Sequence, residues 1–202
     1  LDVDTMIMAL GPSHISIYGL SVEPGTVLSH NLRQGRWILP TDDETGNMYD
    51  LIMDRLVKGG YERYEISNFA KAGDKSRHNL VYWHYNPYLA FGAGATRFDG
   101  RTRENNPAYL AAYERGEAPE IECLSPAVQR EEMIFMNLRT VRGLSLLDYE
   151  ARFGRSFAFD YGPQIENLIH KGWAKWEDGH FCLTPLGMQY GNLAFEAFIT
   201  TD

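Results

Sequence analysis

Apolar residues along this chain follow first the two-residue period of strands and then, increasingly, the three-to-four-residue period of helices. Asp2 to Leu10, stopped by Gly11-Pro12, reads as the last turns of a helix. His14-Ile15-Ser16-Ile17-Tyr18-Gly19-Leu20 is a short β-rich run bounded by Gly-Pro before and Glu23-Pro24-Gly25 after, which predicts a buried strand. Residues 22–40 have no clear period and carry Pro24, Gly25, Asn31, Gly35 and Pro40, the mark of a long loop. Thr41-Asp42-Asp43-Glu44 is a capping box, followed at helical spacing by Met48, Leu51, Ile52 and Leu56 until Gly59-Gly60. Tyr61 to Ser67 alternates around Tyr64 and Ile66 and predicts a second strand. Strand, helix and strand together predict a right-handed βαβ unit in a parallel sheet.

A polar turn at Lys71 to Arg77 leads into an aromatic-rich stretch ending at Tyr88, and Leu89 to Ala95 reads as a short strand closing in small residues. Asn106 and Pro107 start a helix to about Arg115, and Gly116 to Pro119 reads as a linker, so the expected domains are 1–119 and 120–202. The second part is mostly helical. Ser125-Pro126 opens a helix stopped by Gly143, Leu144 to Phe153 is another, and Tyr161 to Lys171 a third. Trp173 to Trp176 and His180 to Leu183 flank Glu177-Asp178-Gly179 as a hairpin, and Thr184-Pro185 begins a closing helix to about Phe198. Helices followed by one hairpin outline a winged helix.

A winged helix often reads DNA, so its charge matters. Residues 120–202 hold 12 acidic and 7 basic residues, and the third helix offers only His170 and Lys171 as cations. Phosphate neutralisation dominates DNA affinity, which makes a nucleic-acid role a poor alternative and a packing domain the better reading. The whole chain has 202 residues, 44% of them apolar, and a net charge of -8. It predicts a globular protein with a packed core. No apolar run reaches the roughly 20 residues that cross a bilayer and no leader pattern is seen, so we expect a cytoplasmic protein without membrane insertion. Cys123 and Cys182 form no metal-binding spacing, and two isolated thiols are too few for an iron–sulfur cluster.

One segment reverses the acidic balance. From Lys71 to Arg103, Lys71, Lys75, Arg77, Arg97, Arg101 and Arg103 face only Asp74 and Asp99. Inside it, His78-Asn79-Leu80-Val81-Tyr82-Trp83-His84-Tyr85 combines two histidines, an amide and three aromatic rings. Aromatic faces can bury a planar macrocycle, basic side chains can pair with its carboxylates, and a histidine can give iron an axial nitrogen. By themselves the same residues also fit a packed aromatic core with a solvated charge run. Gly92-Ala93-Gly94-Ala95 lacks the glycine fingerprint of a dinucleotide site, and Ser67 lacks a nucleophile elbow.

The order of these pieces is recognisable. His14-Ile-Ser-Ile-Tyr-Gly-Leu with Glu23-Pro-Gly-Thr26, Tyr64-Glu65-Ile66-Ser67-Asn68-Phe69-Ala70, Arg77-His78-Asn79-x-x-Tyr82-Trp83 and Tyr88-Leu89-x-Phe91-Gly92-x-Gly94-Ala95 resemble the oxygen-independent coproporphyrinogen III oxidase-like family of radical SAM proteins. Leu183-Thr184-Pro185-Leu186-Gly187 resembles the wing exit of that family's C-terminal domain. The resemblance implies an α/β fold: the C-terminal part of a partial (β/α) barrel followed by a mostly helical winged-helix-like domain.

His-Asn-x-x-Tyr-Trp is similar to the haem-chaperone (HemW-like) branch, which implies haem binding by His78, Asn79, Tyr82 and Trp83 and transfer to haem-accepting proteins. The alternative the family offers is radical decarboxylation of coproporphyrinogen III to protoporphyrinogen IX, with a porphyrinogen as ligand. S-adenosylmethionine contacts of the family would fall on Ser21 and Thr96, although Thr96-Arg97 departs from the branch, where histidine commonly follows Gly-Ala. The family's cluster motif Cys-x-x-x-Cys-x-x-Cys is absent from this sequence, which predicts a C-terminal fragment that lacks the 4Fe-4S ligands and is inactive alone. A truncated barrel would leave an open strand edge and favour self-association.

Overall fold

The computed structural model describes residues 2–199, which form two compact units divided between Lys75 and Ser76. In the first, α1 (Asp2–Thr5) runs into a π-helical turn (Met6–Leu10) that ends where Gly11 takes a left-handed φ of 52°. Then come β1 (His14–Ser16), α2 (Val27–Arg33) inside the predicted loop, α3 (Asp42–Lys58), β2 (Glu62–Arg63) and β3 (Asn68–Ala70).

The expected parallel sheet is not what forms: the order is β1-β3-β2, and both pairings are antiparallel. The cause lies within the run expected to be one strand. The Ser67 N–H donates to the Glu65 carboxylate at 2.8 Å and the Tyr64 N–H to the Asn68 carbonyl, folding the chain back on itself. β1 and β2 therefore still run in the same direction, with β3 inserted between them. Ile15, Leu56, Tyr61 and Phe69 make the core. Met48 and Leu51, placed on α3 by the helical spacing, are 47% and 54% exposed, since Ile52, Met53 and Leu56 supply the face that packs on this core.

The capping box of α3 forms reciprocally, with Thr41 accepting from the Glu44 N–H and the Glu44 carboxylate accepting from the Thr41 N–H. The Thr41 N–H and then the Thr41 hydroxyl, both donating to the Glu44 carboxylate, hold it below the usual carboxylate pKa. Thr41→Ala is expected to cost about 1 kcal/mol. An unchanged urea midpoint would show that the cap contributes nothing.

The second unit begins with α4 (Arg77–Trp83), which the sequence pattern left without an element, and continues with β4 (Thr96–Phe98), β5 (Thr102–Asn105), α5 (Leu110–Glu114) and β6 (Glu120–Cys123). These strands pair antiparallel in the order β4-β5-β6. Leu89 to Ala95 is irregular rather than a strand. Gly92 and Gly94 both take positive φ, the Asn106 amide donates to the Gly92 carbonyl, and the Gly94 N–H donates to the Pro107 carbonyl. Asn106 is thus engaged as a clamp, and the helix expected from it starts only after Tyr109. Pairing of Thr102–Asn105 with Glu120–Cys123 ties together the two sides of the boundary expected at residue 119, which lies within this unit.

The winged-helix outline follows as α6 (Pro126–Leu138), β7 (Leu144–Ser145), α7 (Leu146–Phe153), α8 (Phe157–His170), β8 (Ala174–Glu177), β9 (His180–Leu183), α9 (Pro185–Gln189) and α10 (Gly191–Glu196). Ser125, Ser145, Ser156 and Thr184 each cap the helix that follows them. α8 starts four residues before the expected Tyr161, where the backbone instead kinks. The expected closing helix is broken at Tyr190 into α9 and α10. β9 is the central strand of the order β7-β9-β8, with a tight turn at Asp178 and Gly179, both at positive φ. Phe157 packs against Tyr149, Tyr161, Trp176, Phe181 and Phe198, making an aromatic centre for this part of the core.

Candidate functional site

The sequence-predicted residues His78, Asn79, Tyr82 and Trp83 come together on the single helix α4. Its start is fixed by Ser76, whose hydroxyl accepts from the Asn79 N–H at 3.2 Å. The four-residue spacing stacks His78 and Tyr82 on one face. Their rings meet edge to face at 5.0 Å, and His78 Nε2 lies 3.2 Å from the Tyr82 hydroxyl. Tyr88 extends this face, 4.6 Å from the Tyr82 ring. In the tautomer whose Nε2–H donates to Tyr82, Nδ1 carries the lone pair of the imidazole. Asn79 contributes to the cap, and no side-chain hydrogen bond of Asn79 is formed among the described residues.

Trp83 faces α6. The guanidinium of Arg139 lies over its indole at 4.6 Å and over Phe135 at 5.7 Å. Both the Trp83 Nε1–H and the Arg139 Nε–H are buried without an acceptor. Buried donors almost always find a partner, so this pair stands out in the unit.

The C-terminal end of α4 is held by a network that the sequence pattern did not indicate. Tyr85 sits at φ 56°, a left-handed backbone costly for a residue with a Cβ. It is buried, its hydroxyl donates to Glu132 at 2.8 Å, and Arg152 covers its ring at 4.8 Å. Glu132 also accepts from Arg103 at 2.5 Å. Burial, then the Glu132 carboxylate, pushes the Tyr85 hydroxyl well above the ordinary tyrosine range. Burial depresses Arg103, but Glu132 and Glu122 more than compensate and raise it overall. Glu132 therefore ties α4, β5 and α6 into one piece.

This network changes the reading of the basic segment. Arg103 is paired with Glu132 and Glu122, Arg97 with Glu104 and Lys75 with Glu62. Much of the local positive charge is spent inside the protein rather than offered to a ligand. The cation stacked on the aromatic motif is Arg139, which lies outside that segment and whose buried Nε–H has no acceptor among the described residues. A sequence signal for it was weak, because a single arginine at a helix end is commonplace.

Beyond the end of α4 lies a cleft of about 910 Å³ lined by His84, Arg142, Asp148 and His180 among others, within the size range of small-molecule sites. Burial, and then the nearby Arg142 charge, lowers the His84 pKa. Ser21 is an exposed loop residue of the first unit, and Thr96 opens β4 in the second, its hydroxyl donating to Asn105 at 2.7 Å. Among the described residues no group of three or more His, Cys, Asp or Glu side chains could hold a bare metal ion.

The donor set on α4 suits a planar iron macrocycle with carboxylates. Edge-on aromatic rings, an imidazole with one nitrogen free and two buried donors without acceptors are what such a ligand needs. The family described as the HemN C-terminal domain matches residues 124–190. The chain is 36% identical over 193 residues to the protein named heme chaperone HemW of Lactococcus lactis, covering 94% of this chain and 51% of that one. It is 35% identical to the protein of the same name from Bacillus subtilis, covering 95% and 52%. The solved structure of coproporphyrinogen III oxidase (HemN) from Escherichia coli, described as a radical SAM enzyme, superimposes with a TM-score of 0.70 at 16% identity, over 95% of this chain and 49% of that one. The chain thus spans about half the length of the relatives it matches.

Proposed function

Because the chain belongs to the HemW-like branch of the coproporphyrinogen III oxidase-like radical SAM proteins and corresponds to their C-terminal part, we propose that it binds haem for transfer to haem proteins. The observation that supports this most is the ladder of His78, Tyr82 and Tyr88 on one face of α4, with Trp83 under Arg139 beside it. His78 would supply an axial nitrogen, Tyr82 and Tyr88 would cover the macrocycle, and Trp83 would add apolar surface. Asn79 remains a candidate contact through its free amide. The group would bring its iron and its two carboxylates; the protein's part is to bind it, orient it and release it.

Release is as much part of a carrier's task as binding. The His78 face is exposed on its imidazole side, which favours exchange over permanent capture. The haem-loaded chain, mixed with an apo-haem protein, is expected to give up its haem, read as the growth of the acceptor's own Soret spectrum. Haem that stays on the chain with excess acceptor would contradict a carrier role.

The 4Fe-4S cluster and S-adenosylmethionine belong to the family as a whole, and Ser21 and Thr96 remain proposed contacts for the latter. A porphyrinogen-decarboxylating role is the second reading, favoured by the likeness in fold to coproporphyrinogen III oxidase. Product formation by a full-length protein reconstituted with cluster and S-adenosylmethionine would select it; no product under those conditions would leave the carrier reading.

A further inference from the structure

Two polar groups beside the aromatic motif are unexplained by the fold. The Trp83 Nε1–H and the Arg139 Nε–H are both buried and both lack an acceptor. They belong to a single contact, since the guanidinium lies 4.6 Å over the indole ring. Arg139 stands at the C-cap of α6, half-buried between Trp83 and Phe135, and its buried Nε–H has no acceptor among the described residues. Desolvating a guanidinium and an indole N–H without an acceptor is costly. A positive charge placed over an aromatic face recovers part of that cost and leaves the N–H groups to be satisfied.

The chemistry that satisfies both is an anionic oxygen pair. A carboxylate accepts from several donors at once, and charge-assisted bonds to arginine are about twice as strong as neutral ones. Of the arginines in the Lys71 to Arg103 segment, Arg97 and Arg103 already hold Glu104, Glu122 and Glu132, and Arg77 and Arg101 are exposed rather than buried on an aromatic ring as Arg139 is. We propose that Arg139 and Trp83 form the carboxylate-recognising end of the porphyrin site, reading a propionate of the macrocycle rather than its iron. The assignment rests on the haem reading above and adds a specificity residue that lies outside the His-Asn-x-x-Tyr-Trp motif.

Esterification separates the propionates from the rest of the ligand. Haem, iron-free protoporphyrin IX and the dimethyl ester of each are titrated in the same dilute detergent into the wild-type chain and into Arg139→Gln. The wild-type chain is expected to bind haem at least tenfold more tightly than the ester, and to prefer the iron-free diacid over its own diester similarly. Arg139→Gln should bind acid and ester alike. Trp83→Phe, which keeps a ring but removes the N–H, should lose part of the preference, and it carries the test if Arg139→Gln does not fold.

A wild-type chain that binds haem and its ester equally overturns the proposal while leaving haem binding intact, as does an Arg139→Gln chain that keeps the full preference. A wild-type chain that binds neither porphyrin overturns the haem reading itself, and this assignment with it.

Discussion

Gly187→Ala is expected to destabilise the chain by about 3 kcal/mol or more, the upper range for overpacking in a close-packed interior. Gly187 lies in the first turn of α9, where its N–H donates to the capping hydroxyl of Thr184 at 3.0 Å. It is buried against the strand that leads into the hairpin: a Cβ added there would stand 1.8 Å from the Trp173 carbonyl oxygen and 2.7 Å from its carbon. Those are backbone atoms, and the Trp173 carbonyl is already bound by the Thr184 N–H at 2.9 Å, so no side-chain rotation relieves the overlap. Gly143→Ala should be comparably severe, since its φ is 75° and its added Cβ would fall 2.2 Å from the Phe181 carbonyl oxygen. Urea unfolding measures both. A loss below about 1 kcal/mol for Gly187→Ala, less than typical overpacking, would mean that the approach of α9 to Trp173 is looser than described.

Glu132→Ala is expected to cost about 2 to 3 kcal/mol, below the 3–5 kcal/mol seen for breaking a fully buried pair. The discount follows from solvent access, since the Arg103 and Glu132 side chains remain 25% and 21% exposed. Alanine would leave the Arg103 guanidinium short of its shortest partner and the buried Tyr85 hydroxyl without an acceptor. It would also remove the bond that helps hold Tyr85 at its left-handed φ, so the end of α4 should loosen. Glu132→Gln, which keeps acceptor capacity without the charge, should lose roughly half as much. Stability unchanged in Glu132→Ala would show that Arg103 and Tyr85 find other partners and that the network does not fix α4.

α6 and α9 were legible because each carries its own start signal: Ser125-Pro126 and Thr184-Pro185 cap and begin them as their sequence implies. The hairpin was legible for a similar reason, since Asp178-Gly179 supplies two positive φ values in succession. The sheet of the first unit was not. A three-residue turn hidden at Glu65-Ile66-Ser67 reverses the chain through a side-chain bond, and periodicity is blind to such bonds. α4 was missed as an element because it is short and its aromatic residues have no strong helical preference.

The site divides in the same way. His78, Asn79, Tyr82 and Trp83 could be picked out as a motif, and the helix brings them together. The charge expected to serve a ligand could not be assigned from sequence, since pairing with Glu122 and Glu132 depends on strand register and helix packing. Arg139 comes from 56 positions beyond Trp83 and is visible beside it only once α4 and α6 are in contact.

A haem titration of the wild-type chain beside His78→Ala and Trp83→Ala tests the proposed haem site on α4 most directly. The Soret band of the wild-type chain is expected to saturate at one haem per chain, with affinity weakened at least tenfold in each variant while their unfolding curves stay cooperative. Haem affinity in both variants equal to that of the wild-type chain would contradict the proposed site.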